Sequence, residues 1–301
     1  MSKLEDVFQQ KFANKQFFNE SVLKGISKSV KLHDEVNNVR SSAAACLNVM
    51  GYLNQHQKDI IPFFSYFGIQ IEEVIPFPQN VNVGDEIYDD KGPIVFEWIG
   101  PKKSPINEKG GSRGQNRTSI DAFMLAKIFG KTRQIFIEWK FTENYSSESY
   151  NHRFSGTKGI ERLRRYSTVL SALRNDSFPF NFKEEDTLGL VDFSYEPFYQ
   201  LLRMTLLARK TIPIKIADFI IDDYAILHLS HSSNAYLETL SDQHLKYSPG
   251  LKKYIGRKLH DTWKELLSDK EKQKFYFGYW DKALCKLTDN DYKQYLCDRY
   301  E

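Results

Sequence analysis

The chain has few cysteines, no long apolar run and almost no excess of charge. Its three cysteines, Cys46, Cys285 and Cys297, are odd in number and lack the close spacing of a zinc site, which disfavours both a disulfide framework and a zinc centre. We therefore expect a reducing, cytoplasmic setting. No stretch approaches the roughly 18 apolar residues of a membrane helix. Charges are spread through residues 1–16, so no secretory signal is predicted either.

The small net charge excludes a protein that binds nucleic acid through its whole surface. Lys and Arg number 42 and Asp and Glu number 39, giving +3 over 301 residues. A nucleic-acid site must therefore be a local patch. The hydrophobic content of 41% is enough for a sizeable core. We predict an N-terminal helical extension over residues 1–39, a core over residues 40–234 and a C-terminal helical region, residues 235–301, packed on that core.

The most informative pattern lies over residues 119–143. Two segments rich in β-branched and aromatic residues flank a polar turn around Gly130, which predicts a β-hairpin. Because side chains alternate along a strand, Glu138 and Lys140 share one face. A reversal near residue 130 places Asp121 on that face of the neighbouring strand, roughly 5–8 Å away. One hairpin face thus gathers two carboxylates and one ammonium group.

The combination of Asp121 with the run Glu138-Trp139-Lys140 resembles the PD-(D/E)xK nuclease superfamily, whose fold type II restriction endonucleases share, and in particular its uncharacterised bacterial restriction-endonuclease-like branch. Ile120 stands where the family usually has proline. The resemblance implies an α/β fold with a mixed sheet flanked by helices, here with helical N-terminal and C-terminal additions. It also implies a divalent-metal-dependent endonuclease that hydrolyses DNA in defence or restriction.

The resemblance assigns a role to each member of the motif. Asp121 and Glu138 would hold Mg²⁺, for which Mn²⁺ would substitute, with the backbone carbonyl of Trp139 as a third ligand. Carboxylate oxygens suit a hard cation, and that cation offsets the charge of the phosphate. Lys140 would orient the attacking water or stabilise the developing charge. The alternative is that Glu138 and Lys140 form a solvated surface pair of little energetic value.

A further carboxylate interrupts an apolar run. Glu97 lies within the predicted strand 94–99, and a carboxylate among apolar neighbours needs a partner or a metal. We therefore expect Glu97 to be an additional metal ligand. The alternative is a strand residue that faces solvent.

Basic residues follow and precede the hairpin. Because phosphate contacts supply most sequence-independent affinity for DNA, these residues are candidate backbone contacts. Their alternatives are a solvated helix face and an ordinary surface loop. The predicted DNA-binding residues are Arg153, Lys158, Arg162 and Arg165 around the predicted helix 157–173, and Arg113 and Arg117 in the glycine-rich loop 100–118.

Two other helices offer secondary candidates. Pro197 begins a helix that extends to about Lys210, on which Gln200 and Arg203 would contact phosphate or water, or else form a structural polar network. An earlier helix begins near residue 40. There Ser41 is either a cap or a site residue, and Asn48 occupies the helix from which the resembling nucleases often contribute a polar group.

Other classes of function remain open from the sequence. The fold could serve a non-cleaving nucleic-acid-binding module, or a repair or RNA nuclease. A homodimer is a further expectation, because restriction enzymes commonly cut both strands as dimers. His228 and His231 are three residues apart, but their pattern does not predict a zinc site.

Overall fold

The predicted hairpin forms the centre of a six-stranded sheet in the computed structural model. The structure describes residues 20–300, apart from residues 24, 32–35, 37, 39, 112, 114–116, 146, 174–177 and 182–187. The two hairpin strands end in a two-residue turn at Phe129 and Gly130, where φ is +52° and +70°. Positive φ at both positions is typical of the type I′ turn, whose twist matches that of paired strands.

The strands of the described chain are numbered in chain order. They are β1 (Glu73–Ile75), β2 (Val81–Val83), β3 (Glu86–Tyr88), β4 (Ile94–Trp98), β5 (Ile120–Ile128), β6 (Lys131–Trp139), β7 (Ile214–Ile216), β8 (Phe219–Ile221), β9 (Asp223–Ser230) and β10 (Phe275–Tyr279).

The α-helices are numbered in the same way. They are α1 (Ser42–Gln55), α2 (Ile60–Ser65), α3 (Glu148–Asn151), α4 (Gly156–Ser171), α5 (Glu196–Lys210), α6 (Leu259–Leu266), α7 (Asp269–Lys272), α8 (Trp280–Ala283) and α9 (Asn290–Tyr300). None of these described helices is long and apolar enough to cross a membrane.

The main sheet is mixed. Its order is β1-β5-β6-β9-β10, and β4 pairs with β5 beside β1. Strands β1 and β4 run antiparallel to β5, which runs antiparallel to β6, whereas β9 and β10 run parallel to β6 and to each other. Helices α4 and α5 lie in the connection between the parallel strands β6 and β9, as such crossovers require.

Both faces of the sheet are covered. Alternate residues such as Met124 and Ile137 pack with the buried residues of α1 on one face. Phe123 and Phe136 point to the other face and join the core formed with α5. Glu138 is two residues from Phe136, so strand alternation places it on the α5 face, whereas the neighbours of Asp121, Ile120 and Ala122, belong to the two different cores. The predicted mixed sheet flanked by helices is confirmed.

Several local predictions differ from the structure. The apolar spacing of residues 59–74 predicts a longer helix, but the α-helix there is confined to α2; residues 188–191 predict a short strand, but the last two of them lie in a 3₁₀ helix, Leu190–Ser194. The C-terminal region was predicted to be mostly helical, yet it also supplies β10. The N-terminal helical extension predicted over residues 1–39 lies largely outside the described residues, which include a 3₁₀ helix, Glu20–Leu23.

Candidate active site

Four chemically active side chains occupy neighbouring positions across four strands. The pairs on either side of Glu97 in β4 place it opposite Asp121 in β5. Ala122 of β5 pairs with Ile137 of β6, so Asp121 and Glu138 are the next residues along the two strands, and the backbone N–H of Trp139 donates a 2.7 Å hydrogen bond to Asp121 Oδ2. Glu138 pairs in turn with His228 of β9. The sheet therefore aligns three carboxylates and an imidazole in one row.

Lys140 directly follows β6, and its side chain lies beside Glu138 of this row. Its Nζ donates a 2.6 Å hydrogen bond to Glu138 Oε1, and both residues are only 5% exposed. Its backbone is fixed as well, because its N–H donates to the carbonyl of Leu229 and its carbonyl accepts from Trp280 Nε1, at 2.8 and 2.9 Å. Glu138 and Lys140 therefore do not form a solvated surface pair, and that alternative is wrong.

The pKa values reflect an excess of buried negative charge. Burial raises the pKa of Asp121 well above its usual value, and the charges of Glu138 and Glu97 add to this effect. Burial also raises the pKa of Glu97, which the charge of Glu138 raises further although a hydrogen bond from Ser119 opposes the change. Three carboxylates face one ammonium group, so a bound cation would lower the electrostatic free energy of the site.

The site offers carboxylate oxygens, which are the type of ligand that a hard divalent cation prefers. Among the described residues, no group of three or more His, Cys, Asp or Glu side chains is placed to hold a metal. Mg²⁺ does not need such a cage, since it usually binds one or two carboxylates and keeps several waters. Asp121 and Glu138 meet that requirement. The Trp139 carbonyl accepts a 3.1 Å hydrogen bond from Ser42 Oγ, which leaves one lone pair for a ligand role.

Two of the predicted DNA-binding arginines are buried. Arg113 is 0% exposed and pairs with Asp90, Nη1 lying 2.8 Å from Oδ2. Arg117 is 8% exposed and donates to the backbone carbonyls of Ile99, Pro101 and Lys102. The prediction that Arg113 and Arg117 contact DNA is therefore wrong, because both guanidinium groups bind the protein's own oxygens.

The other predicted basic residues lie at or near α4. Lys158 is exposed and Arg165 is partly exposed. Arg153 pairs with Glu196, and Arg162 Nη1 donates to the carbonyl of Arg153 at 2.7 Å. Lys158 and Arg165 are therefore the more accessible members of this set, whereas Arg153 and Arg162 are partly committed to contacts within the protein.

A second basic group lies on α5, the helix that covers one face of the sheet. The guanidinium of Arg203 lies 4.7 Å from the centre of the Tyr199 ring, and that of Arg162 lies 5.6 Å from the same ring. Arg203 Nε and Gln200 Oε1 are buried without a hydrogen-bond partner in the described part of the chain. Burial opposes protonation of Arg203, but the neighbouring Tyr199, Tyr166 and Glu196 raise its pKa, so it stays charged. Arg203 can therefore donate to an anionic ligand, whereas Gln200 Oε1 is an acceptor and needs a donor such as water.

The two candidates on α1 have structural contacts. Ser41 Oγ accepts a 3.1 Å hydrogen bond from the N–H of Ala44 and so caps α1, the simpler of its two predicted roles. Asn48 is 0% exposed, and its Nδ2 donates to the hydroxyl of Tyr300 at 2.8 Å. This hydrogen bond gives the Asn48 amide a part in packing α1 against α9, and its contribution to the site stays a prediction.

The sequence pattern did not single out His228 as part of the row. Its Nδ1 lies 2.9 Å from Nε2 of His260, and burial, with the charges of His260 and Lys140, lowers its pKa well below the usual value. Its Nε2 is buried without a hydrogen-bond partner in the described chain. Only the parallel pairing of β9 with β6 brings it beside Glu138, and no local pattern reveals that pairing.

The comparisons with known proteins agree with the fold. A family model described as Restriction Endonuclease associating with ARP matches residues 5–301. No curated protein and no solved structure matches the chain. The match spans the hairpin, the helices of the crossover and the C-terminal strand, so all parts of the sheet fall within the matched region.

Proposed function

Because this chain belongs to the family of restriction endonucleases associating with ARP, we propose that it is a divalent-metal-dependent endonuclease of the PD-(D/E)xK type that hydrolyses DNA phosphodiester bonds. The family implies DNA as the substrate. The observation that carries the metal-dependent reaction is the buried cluster of Asp121, Glu138 and Lys140 at the end of the central hairpin opposite its turn. We further propose a role in restriction or defence, a cytoplasmic location and action as a homodimer.

Each group in the site has a role in phosphodiester hydrolysis. Asp121 and Glu138 would hold Mg²⁺ or Mn²⁺, with the Trp139 carbonyl as a further oxygen ligand; the described residues do not place Glu97 as a third carboxylate ligand with these two. The cation supplies positive charge to the phosphate and makes water more acidic. Lys140 Nζ donates a hydrogen bond to Glu138 Oε1. This ammonium group, beside the carboxylates, would stabilise negative charge as it develops on the phosphate.

The substrate's other phosphates need positive partners. Arg203 Nε is a buried donor without a partner, which a phosphate oxygen would satisfy at little further cost in desolvation, whereas Gln200 Oε1 is a buried acceptor that would take a hydrogen bond from water. Lys158 and Arg165 on α4 offer accessible charge for the flanking backbone, with Arg153 and Arg162 behind them. The binding surface would thus extend from the row of carboxylates along α5 and α4.

The test is cleavage of supercoiled plasmid, linear DNA and RNA by the purified chain with Mg²⁺ or Mn²⁺. We expect nicking or linearisation of DNA by the natural protein and none by Asp121→Asn or Glu138→Gln. Asp269→Asn is the matched control, because that carboxylate lies on an exposed pair with Lys272, and it should cut normally. Cleavage that survives Asp121→Asn and Lys140→Met would reject the site. Salt-sensitive DNA binding without cleavage would instead identify a non-cleaving module, and cleavage of RNA alone an RNA nuclease.

A further inference from the structure

Three hydrogen bonds converge on the carboxylate of Glu108, in the loop between β4 and β5. The backbone N–H of Thr118 donates to Oε2 at 2.7 Å, and the Thr118 hydroxyl donates to Oε1 at 2.7 Å. The hydroxyl of Tyr166, on α4, donates to the same Oε1 at 3.0 Å. One carboxylate therefore joins two segments that are distant in the sequence, the chain that leads into β5 and the middle of α4.

The chain that leads into β5 also carries Asp121. The pairs of β5 with β6 end at Ala122 with Ile137, so Thr118 lies beyond the end of that pairing, on the same side as Asp121. Thr118 is 3% exposed, and Glu108 accepts a hydrogen bond from its backbone as well as from its side chain. Glu108 thereby limits the movement of the chain just before Asp121.

The other end of this link is the polar anchor of α4. The buried residues of α4 are Gly159, Tyr166 and Val169. Tyr166 is 0% exposed and is the one member of this set with a polar side chain. The same loop also contacts α4 through the ion pair of Lys109 with Glu161, but the two atoms lie 3.8 Å apart and the side chains are 84% and 49% exposed. Exposed pairs of that kind are worth little, so the hydrogen bond from Tyr166 to Glu108 is the stronger link.

The hydroxyl of Tyr166 also connects α4 with α5. The hydroxyl oxygens of Tyr166 and Tyr199 lie 3.4 Å apart. Because Tyr166 donates its single hydroxyl proton to Glu108, Tyr199 is the donor in this second bond. The centre of the Tyr199 ring lies 4.7 Å from the guanidinium carbon of Arg203, the residue proposed to bind phosphate. A continuous series of contacts thus extends from Arg203 to Thr118.

From these contacts we infer that Glu108 is a positioning residue that couples the binding of DNA phosphate at α4 and α5 to the chain just before Asp121. The inference rests on the proposed nuclease function and deepens it, because it assigns a role to a carboxylate outside the row of acidic residues. Hydrolysis requires the scissile phosphate and the groups that act on it to be held in a fixed geometry. Glu108 maintains that geometry by joining the helices that bind the flanking phosphates to the strand that carries Asp121.

The test removes the Tyr166 hydroxyl and follows hydrogen exchange of the full-length protein with and without duplex DNA, in Ca²⁺ to prevent cleavage. In the natural protein, DNA should slow exchange at Thr118 by about tenfold or more, because bound phosphate restrains the whole series of contacts. Tyr166→Phe keeps the ring but breaks the link. We expect DNA to bind this variant with unchanged affinity and to leave its exchange at Thr118 unaltered.

Cleavage kinetics give a second readout of the same variant. With Mg²⁺ and saturating DNA, Tyr166→Phe should cut about tenfold or more slowly than the natural protein, because the bound phosphate is no longer held in register with Asp121. If Tyr166→Phe does not fold, Glu108→Gln replaces it. The amide nitrogen of glutamine cannot accept the N–H of Thr118, so this change breaks the other end of the link and the same results are expected.

Tyr224→Phe is the matched control. Tyr224 is also 0% exposed and its hydroxyl also donates to a glutamate, Glu271, but it pairs with Gln134 near the turn of the hairpin, at the end opposite Asp121. This change should lower the free energy of unfolding. It should leave the cleavage rate and the effect of DNA on exchange at Thr118 unchanged.

The outcomes separate this inference from the proposed function. If DNA slows exchange at Thr118 equally in folded Tyr166→Phe and in the natural protein, or if the cleavage rate of bound DNA is unchanged, the coupling is overturned while cleavage by the natural protein stands. Slowing that requires the Tyr166 hydroxyl, in a protein that cuts neither DNA nor RNA, supports the coupling and rejects the nuclease. A natural protein that does not bind DNA, or whose exchange at Thr118 does not respond to it, overturns the inference.

Discussion

Lys140 Nζ and Glu138 Oε1 lie 2.6 Å apart, although the two residues are only two positions apart on a strand and each is 5% exposed. Burial opposes the charge of Lys140, but the carboxylate of Glu138 and the nearby Tyr145 and Glu143 raise its pKa well above the usual value. The ammonium group is therefore retained by the carboxylates around it. Its removal should affect folding as well as catalysis.

We expect Lys140→Met to lower the free energy of unfolding in metal-free buffer by about 3–5 kcal/mol, because Glu138 is left buried without its partner. Urea unfolding measures this change. Adding Glu138→Gln should recover part of the loss. Lys272→Met is the control, since its partner Asp269 has a side chain that is 90% exposed, and it should cost less than about 1 kcal/mol. Equal losses in the two lysine variants would contradict a buried pair.

Asp121 predicts a dependence of stability on pH. Its pKa is raised above the usual 3.8, first by burial and then by the charge of Glu138, so the folded protein binds the proton more tightly than the unfolded chain. The resulting penalty is absent below the usual value and grows as pH rises through the raised pKa. Without metal, Asp121→Asn should therefore be more stable than the natural protein at neutral pH, by about 1 kcal/mol or more.

Urea unfolding of both proteins between about pH 4 and pH 8 tests this sign. The advantage of Asp121→Asn should shrink towards the acidic end. Mn²⁺ should raise the stability of the natural protein and have much less effect on the variant, since a ligand stabilises only the state that binds it. A natural protein that is more stable than Asp121→Asn at every pH would show that the carboxylate is not under electrostatic strain.

Arg203 offers a test of the anion-binding surface. Because its Nε has no hydrogen-bond partner in the described chain, Arg203→Met should change the free energy of unfolding by no more than about 1 kcal/mol. The same change should weaken DNA binding by about tenfold or more, through loss of one charged hydrogen bond to phosphate. Filter binding with Ca²⁺ in place of Mg²⁺ measures the affinity without cleavage.

Arg209→Met on the same helix is the matched control. Arg209 has a protein partner, with Nη1 3.6 Å from Glu271 Oε1, so its loss should affect stability and leave DNA affinity unchanged. If Arg203→Met leaves DNA affinity unchanged, or if both variants weaken it equally, the phosphate role of Arg203 fails.

The hairpin was predictable because every feature it needs is local. The apolar alternation of β5 and β6, the turn at Gly130 and the spacing of Asp121 from Glu138 together determine which side chains meet. The N-cap of α1 at Ser41 and the position of Pro197 in the first turn of α5 follow equally from short signals. These elements do not depend on which distant segment packs beside them.

The incorrect sequence-based predictions share one physical cause. Arg113 and Arg117 are charged and lie in a glycine-rich loop, which usually indicates exposure, yet Asp90 and several backbone carbonyls accept their hydrogen bonds in the interior. Such partners are selected by the path of the chain in space. The strand β10 was missed for a similar reason, since pairing with β9, more than 40 residues earlier in the chain, supplies its backbone hydrogen bonds.

The amino-acid sequence by itself determined the hairpin and the meeting of Asp121, Glu138 and Lys140, because strand alternation and a two-residue turn act over a few residues. The tertiary structure alone decided that Glu97 and His228 extend this group into a row across four strands. It also decided which arginines face inward. Those outcomes depend on strand register and burial between distant segments, and local periodicity carries no information about either.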